Sequence, residues 1–125
     1  DSAILVRIGE MLSADDRPRD AVRVYSALVK NQPDAPEAPL AYFMAARAFH
    51  ENLMLPEKAK KILKQLIHKF PDHDVAPDAN AYMKKIDEQQ VYFKIFNTID
   101  ILKFFRKYWL IFFSLYHQIF YLFVP

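Results

Sequence analysis

Residues 33–41 read PDAPEAPLA, and residues 71–79, an offset of 38, read PDHDVAPDA. Pro33, Asp34, Ala38, Pro39 and Ala41 return in register as Pro71, Asp72, Ala76, Pro77 and Ala79. Self-similarity at this period points to a stack of helical hairpins, because each repeat is one supersecondary unit that buries its apolar face only against its neighbours. The chain has one glycine and eight prolines, so proline sets most of the element ends.

The segments ahead of each echo carry a helical period. In 57–70, Ala59, Ile62, Leu63, Leu66, Ile67 and Phe70 share one broad face, and Lys60, Lys61, Lys64 and His68 lie opposite. In 18–31, Ala21, Val24, Tyr25 and Leu28 point inward, with Arg23 and Lys30 outward. Pro18 and Pro56 suit a first turn, where the missing N–H costs nothing, and Pro33 and Pro71 stop the helices just beyond their ends.

The order of bulky, small and proline positions resembles the tetratricopeptide repeat. The first copy offers Leu5, Ile8, Gly9, Leu12, Ala21, Tyr25, Leu28 and Pro33. The second offers Tyr42, Ala45, Ala46, Phe49, Ala59, Leu63, Leu66 and Pro71, with one extra residue in the turn around 52–56. A third begins at Asp78 and keeps Ala81, Tyr82, Met83 and Ile86. The resemblance implies an all-α fold of stacked hairpins (an α-solenoid) over 1–88, with repeats at 2–35 and 40–74 and a partial one at 78–88. The spacing of the echo, Pro-Asp followed by Ala-Pro, looks like the subgroup of periplasmic TolA-binding coordinators and outer-membrane-assembly lipoproteins.

Such scaffolds are expected to bind a protein or peptide on a concave surface lined by the first helix of each repeat. The resemblance places Val6, Glu10, Phe43, Arg47, His50, Ala81, Lys85 and Glu88 on that lining. Val6 and Glu10 do not match the Lys/Asn clamp of the chaperone-binding subgroup. The expected function is a non-catalytic interaction scaffold. The other reading is a regulatory or assembly domain cut from a larger membrane protein or enzyme.

Chemistry has few footholds. There is no cysteine, which removes disulfides, thiolate metal sites and cysteine nucleophiles. His68 and His73 lie near Asp72 and Asp74, but a helix face and a turn do not converge as a metal site requires. Asp15 and Asp16 are expected to cap the second helix. Gly9 alone cannot make a phosphate-cradling loop, and the serines lack a nucleophile-elbow context. No catalytic residue, metal or cofactor is expected. Residues 1–89 balance 13 Lys and Arg against 14 Asp and Glu, without the basic face nucleic acid demands. The chain opens at Asp1 rather than Met, as expected of a piece of a longer product.

From about residue 89 the composition changes. Residues 90–125 carry four Lys and Arg against Asp100 alone, and Lys94, Asn97, Asp100, Lys103 and Arg106 wind all the way around a helix axis. Residues 108–125 hold no formal charge. As a helix they would reach about 27 Å, slightly short of a ~30 Å hydrocarbon core. Three readings of 89–125 stay open: a membrane anchor with Lys103, Arg106 and Lys107 on the inner side, a helix capping the stack, and an out-of-frame tail never selected with the domain. The first makes the protein membrane-associated with a soluble repeat domain; otherwise it is a soluble periplasmic or cytoplasmic protein.

Overall fold

The computed structural model describes residues 1–123 and divides the chain into two compact units, Asp1–Asp87 and Glu88–Pro125. Among the described residues all regular structure is helical: α1 (Ser2–Ala14), α2 (Pro18–Asn31), α3 (Ala38–Arg47), α4 (Pro56–Lys69) and α5 (Val75–Phe123).

In the first unit, α1 pairs with α2 and α3 with α4, which gives two helical hairpins. The first residues of α5 supply one further helix against the second hairpin. Two apolar clusters hold the stack. The first joins Val6 of α1, Ala21, Tyr25 and Leu28 of α2, and Ala38, Ala41 and Ala45 of α3. The second joins Tyr42 and Ala46 of α3, Leu63 and Leu66 of α4, and Ala79 and Ile86 of α5. Alanines at the crossings let the helix backbones approach closely. The large residues between them, Leu28, Leu63, Leu66 and Ile86, are fully buried, each contributing about 1.5–3 kcal/mol.

The small position in α1 has a specific partner. A Cβ built on Gly9 would lie 2.4 Å from Cε1 and 2.5 Å from Cζ of Tyr25, so the aromatic ring occupies the space that the missing side chain leaves. The Tyr25 ring is itself buried, and its hydroxyl meets no hydrogen-bond partner among the described residues.

Helix ends follow the prolines. Pro18 and Pro56 open α2 and α4, and in neither does the capping residue, Arg17 or Leu55, bond the helix start with its side chain. The expected caps Asp15 and Asp16 serve the turn instead. Asp15 closes α1 by donating its N–H to the Met11 carbonyl, and Asp16 adopts a left-handed φ of 58°, a conformation that Asp tolerates. The second hairpin turns through Met54 at φ 55°. α5 begins at Val75, three residues earlier than the Asp78 start expected from the repeat, because Pro77 is accepted within a first turn. His73 marks this start: its Nδ1 accepts the Val75 N–H at 3.2 Å.

The extra residue in the second repeat is absorbed by widening the helix. α3 runs into a π-helical turn, Ala48–Asn52, with Leu53 N–H donating to Ala48 O at 3.1 Å, five residues back. Lys60 of α4 ties the start of α5 to its hairpin through Asp87 at 3.0 Å, and also meets Glu57.

The described part of the second unit, 88–123, is helical throughout. Nearly all its side chains are exposed, from Tyr92 through Trp109 to Phe123. No helix among the described residues is long and apolar enough to cross a membrane. The span expected at 108–125 thus finds no support within them, and its last two residues, Val124 and Pro125, lie outside the described residues.

Candidate functional site

A helix brings residues three, four and seven positions apart onto one face. In α3 and its π-helical extension this aligns Phe43, Arg47, His50 and Glu51, and α5 answers with Tyr82 and Lys85 one turn apart. The two faces meet at the Tyr82 ring. Phe43 packs edge-on to it with ring centres 5.7 Å apart, and the His50 ring does so at 5.6 Å. The Lys85 ammonium lies 5.8 Å from the ring centre, a cation–π distance.

Hydrogen bonds fix the polar edge. The Tyr82 hydroxyl donates to Glu51 Oε1 at 2.7 Å, and His50 Nδ1 lies 2.9 Å from the same hydroxyl. A phenol has one proton to give, so with that proton on Glu51 the imidazole donates, and Nδ1 carries the hydrogen. Arg47 spans both oxygens of Glu51, Nε to Oε1 at 3.4 Å and a terminal nitrogen to Oε2 at 3.3 Å.

These contacts set the protonation states. Burial works against the Glu51 carboxylate, but bonds from Tyr82 and Arg47 outweigh it and hold its pKa below the ordinary 4.5. The Tyr82 hydroxyl is pushed well above its ordinary value, by burial first and then by the neighbouring Glu51 charge. Glu51 in turn raises the pKa of Arg47. Across neutral pH the cluster is therefore a carboxylate, a guanidinium and a neutral phenol. What it offers is a surface of aromatic edges and fixed charges held by these contacts. No group of three or more His, Asp or Glu among the described residues could hold a metal.

Of the lining residues expected from sequence, Phe43, Arg47, His50 and Lys85 converge on Tyr82, and Ala81 is exposed beside it. Val6 does not line a surface. It is 5 % exposed and belongs to the first core cluster. Glu10 is exposed on α1. Its charge and that of Arg47 both act on the buried Tyr25 hydroxyl, whose pKa is raised mainly by burial. Glu88 falls in the second unit. Sequence reasoning missed Tyr82 and Glu51, the two residues that organise the cluster; Glu51 was signalled by its spacing of four from Arg47.

No curated protein and no solved structure matches the chain. The family model of the tetratricopeptide repeat matches residues 40–73, which run from α3 through α4 to the turn after Pro71, and the match does not extend to the TolA-binding subgroup. Hairpin geometry and this match together support a tetratricopeptide-type repeat formed by α3 and α4, the architecture of a protein-interaction scaffold.

Proposed function

We propose that the first unit is a non-catalytic docking module whose protein or peptide partner lies across α3 and the start of α5, on the surface organised by Tyr82. The observation that carries this reading is the assembly of Phe43, Arg47, His50 and Lys85 around that ring by contacts already present without a partner. Preassembled side chains lose little conformational freedom on binding, which favours affinity. This reading also takes in Glu10 and Ala81, which are exposed on α1 and α5. The test is affinity capture with the whole chain and with Arg47→Glu/Lys85→Glu. The variant is expected to lose the captured partner while keeping its helical circular dichroism, and an unchanged captured set overturns the docking surface.

The second unit supports membrane contact as a further element of this function. It combines exposed aromatics with Lys94, Lys103, Arg106 and Lys107 against Glu88 and Asp100, a composition that favours an anionic lipid surface. Flotation of the chain with and without residues 90–125 on phosphatidylglycerol vesicles tests it. Flotation of the whole chain and not of the shortened one is the expected result; equal flotation, or none of either, removes the tether.

A further inference from the structure

A second surface lies at the hairpin turns, away from the Tyr82 cluster. Between the first turns of α2 and the second hairpin's turn runs an open cleft of about 490 Å³. Its floor is apolar, made by Phe49 of the π turn with Leu53 and Leu55 beyond it. Its walls carry Arg19 and Arg23 from α2 and Lys58 from α4. Among the described residues no carboxylate lines this cleft itself, while Asp16 and Asp20 line the adjoining one that shares Arg19, Arg23 and Leu53 with it.

Three features give this cleft a sign. Arg19 and Lys58 have no carboxylate partner among the described residues, and the Lys58 ammonium rests 5.8 Å from the centre of the Phe49 ring. Arg23 is partly neutralised at the cleft's edge by Asp20, at 3.2 Å, but Asp20 also serves Arg17 at 2.8 Å. The first turns of two 14-residue helices, α2 and α4, both border the space, and neither helix start is satisfied by a capping side chain. Their positive dipole ends face the same space, offset in part by Asp20 and Glu57 in those first turns, so the sign of the cleft rests on the three cations.

The apolar floor is unusual for a turn. Leu55 is 39 % exposed, next to half-buried Leu53 and Phe49, and Met54, beside the lining but not part of it, is 77 % exposed. Met54 holds a left-handed backbone, which for a residue with a side chain costs about 1–2 kcal/mol. A turn needing only solubility would place Gly or Asn there. A small inorganic anion would use the cations and leave the apolar floor unused, and a purely apolar ligand would leave the cations unused.

We infer that the cleft between α2 and the α3–α4 turn binds an acidic peptide segment bearing apolar side chains. Its carboxylates meet Arg19, Arg23 and Lys58, and a Leu- or Phe-sized side chain rests on Phe49, Leu53 and Leu55. Arg19 and Arg23, one helical turn apart, suit acidic residues flanking one apolar anchor.

The test uses the whole chain and a short fluorescein-labelled peptide repeating Glu-Asp-Leu-Phe, read by fluorescence anisotropy. Binding is expected to weaken by about tenfold or more in Arg19→Glu/Lys58→Glu, and to weaken as salt rises. Leu55→Gln, which leaves the charge unchanged, is expected to weaken it several-fold, and serves alone if the double variant loses its helical circular dichroism. Arg47→Glu/Lys85→Glu, at the other surface, is expected to leave it unchanged. The inference is overturned if the cleft variants bind as the parent does, or if a Lys-Lys-Leu-Phe peptide binds equally well. It is overturned in favour of a lipid headgroup if vesicles rich in phosphatidylglycerol, and not the peptide, bind in a way that Arg19→Glu/Lys58→Glu abolishes.

Discussion

Gly9 and Tyr25 illustrate how single residues set the first hairpin. The ring fills the place of a Cβ and is buried, so Gly9→Ala forces the ring or the backbone of α1 to shift. The expected loss is about 1–3 kcal/mol, seen as a lower thermal midpoint by circular dichroism. Tyr25→Phe removes a buried hydroxyl that has no partner within hydrogen-bonding geometry and only the nearby Ser13 side chain to interact with, so it should change stability in chemical denaturation by no more than about 1 kcal/mol. Tyr82 and Glu51 set the pH range. Glu51 is depressed in the folded state, so its contribution is present above its ordinary pKa and is lost as pH falls below 4.5. Tyr82 is raised, so its contribution is present below the ordinary pKa of 10.0 and is lost as pH climbs beyond it. Tyr82→Phe should flatten the alkaline arm of the stability profile, while the acid arm, held also by Arg47, persists.

Among the elements, the repeat pattern makes α2 and α4 legible in the sequence itself, since one apolar stripe and two prolines fix each helix. The extra residue near Asn52 was equally visible, but not that it would widen α3 into a π turn, because that depends on which backbone bonds the packed hairpin permits. The polar cluster was half legible. Phe43, Arg47, His50 and Lys85 follow from helix register and Glu51 from its spacing of four from Arg47, but Tyr82 gains its role only when α5 meets α3, a tertiary event with no local signature. Val6 was misjudged because the face of α1 expected to line the surface also reaches the core. Leu63→Ala, at a fully buried position between α3 and α5, should cost about 2–5 kcal/mol and broaden or split the melting transition.

Along the chain, the second core cluster ends at Ile86, the first having ended at Ala45, and no buried residue is found among the described residues beyond Ile86. A chain ending at Asp87 should therefore melt within a few degrees of the intact one, and a large drop in midpoint would mean that residues 88–125 contribute to the stack. The composition break flagged the tail in the sequence. Its surroundings could not be read there, since exposed aromatics wound around a helix define no inward side.

The π turn at Ala48–Asn52 sets the angular phase between α3 and the segment that leads into α4. It contributes His50 and Glu51 to one surface and Phe49 to the other. Each residue of an α-helix advances the chain by about 100°. Deleting one residue there would restore an ordinary winding and leave the helices' sequences intact, yet rotate these side chains out of step. A one-codon change in this turn would thus retune two surfaces together, where substitutions in either alter one at a time.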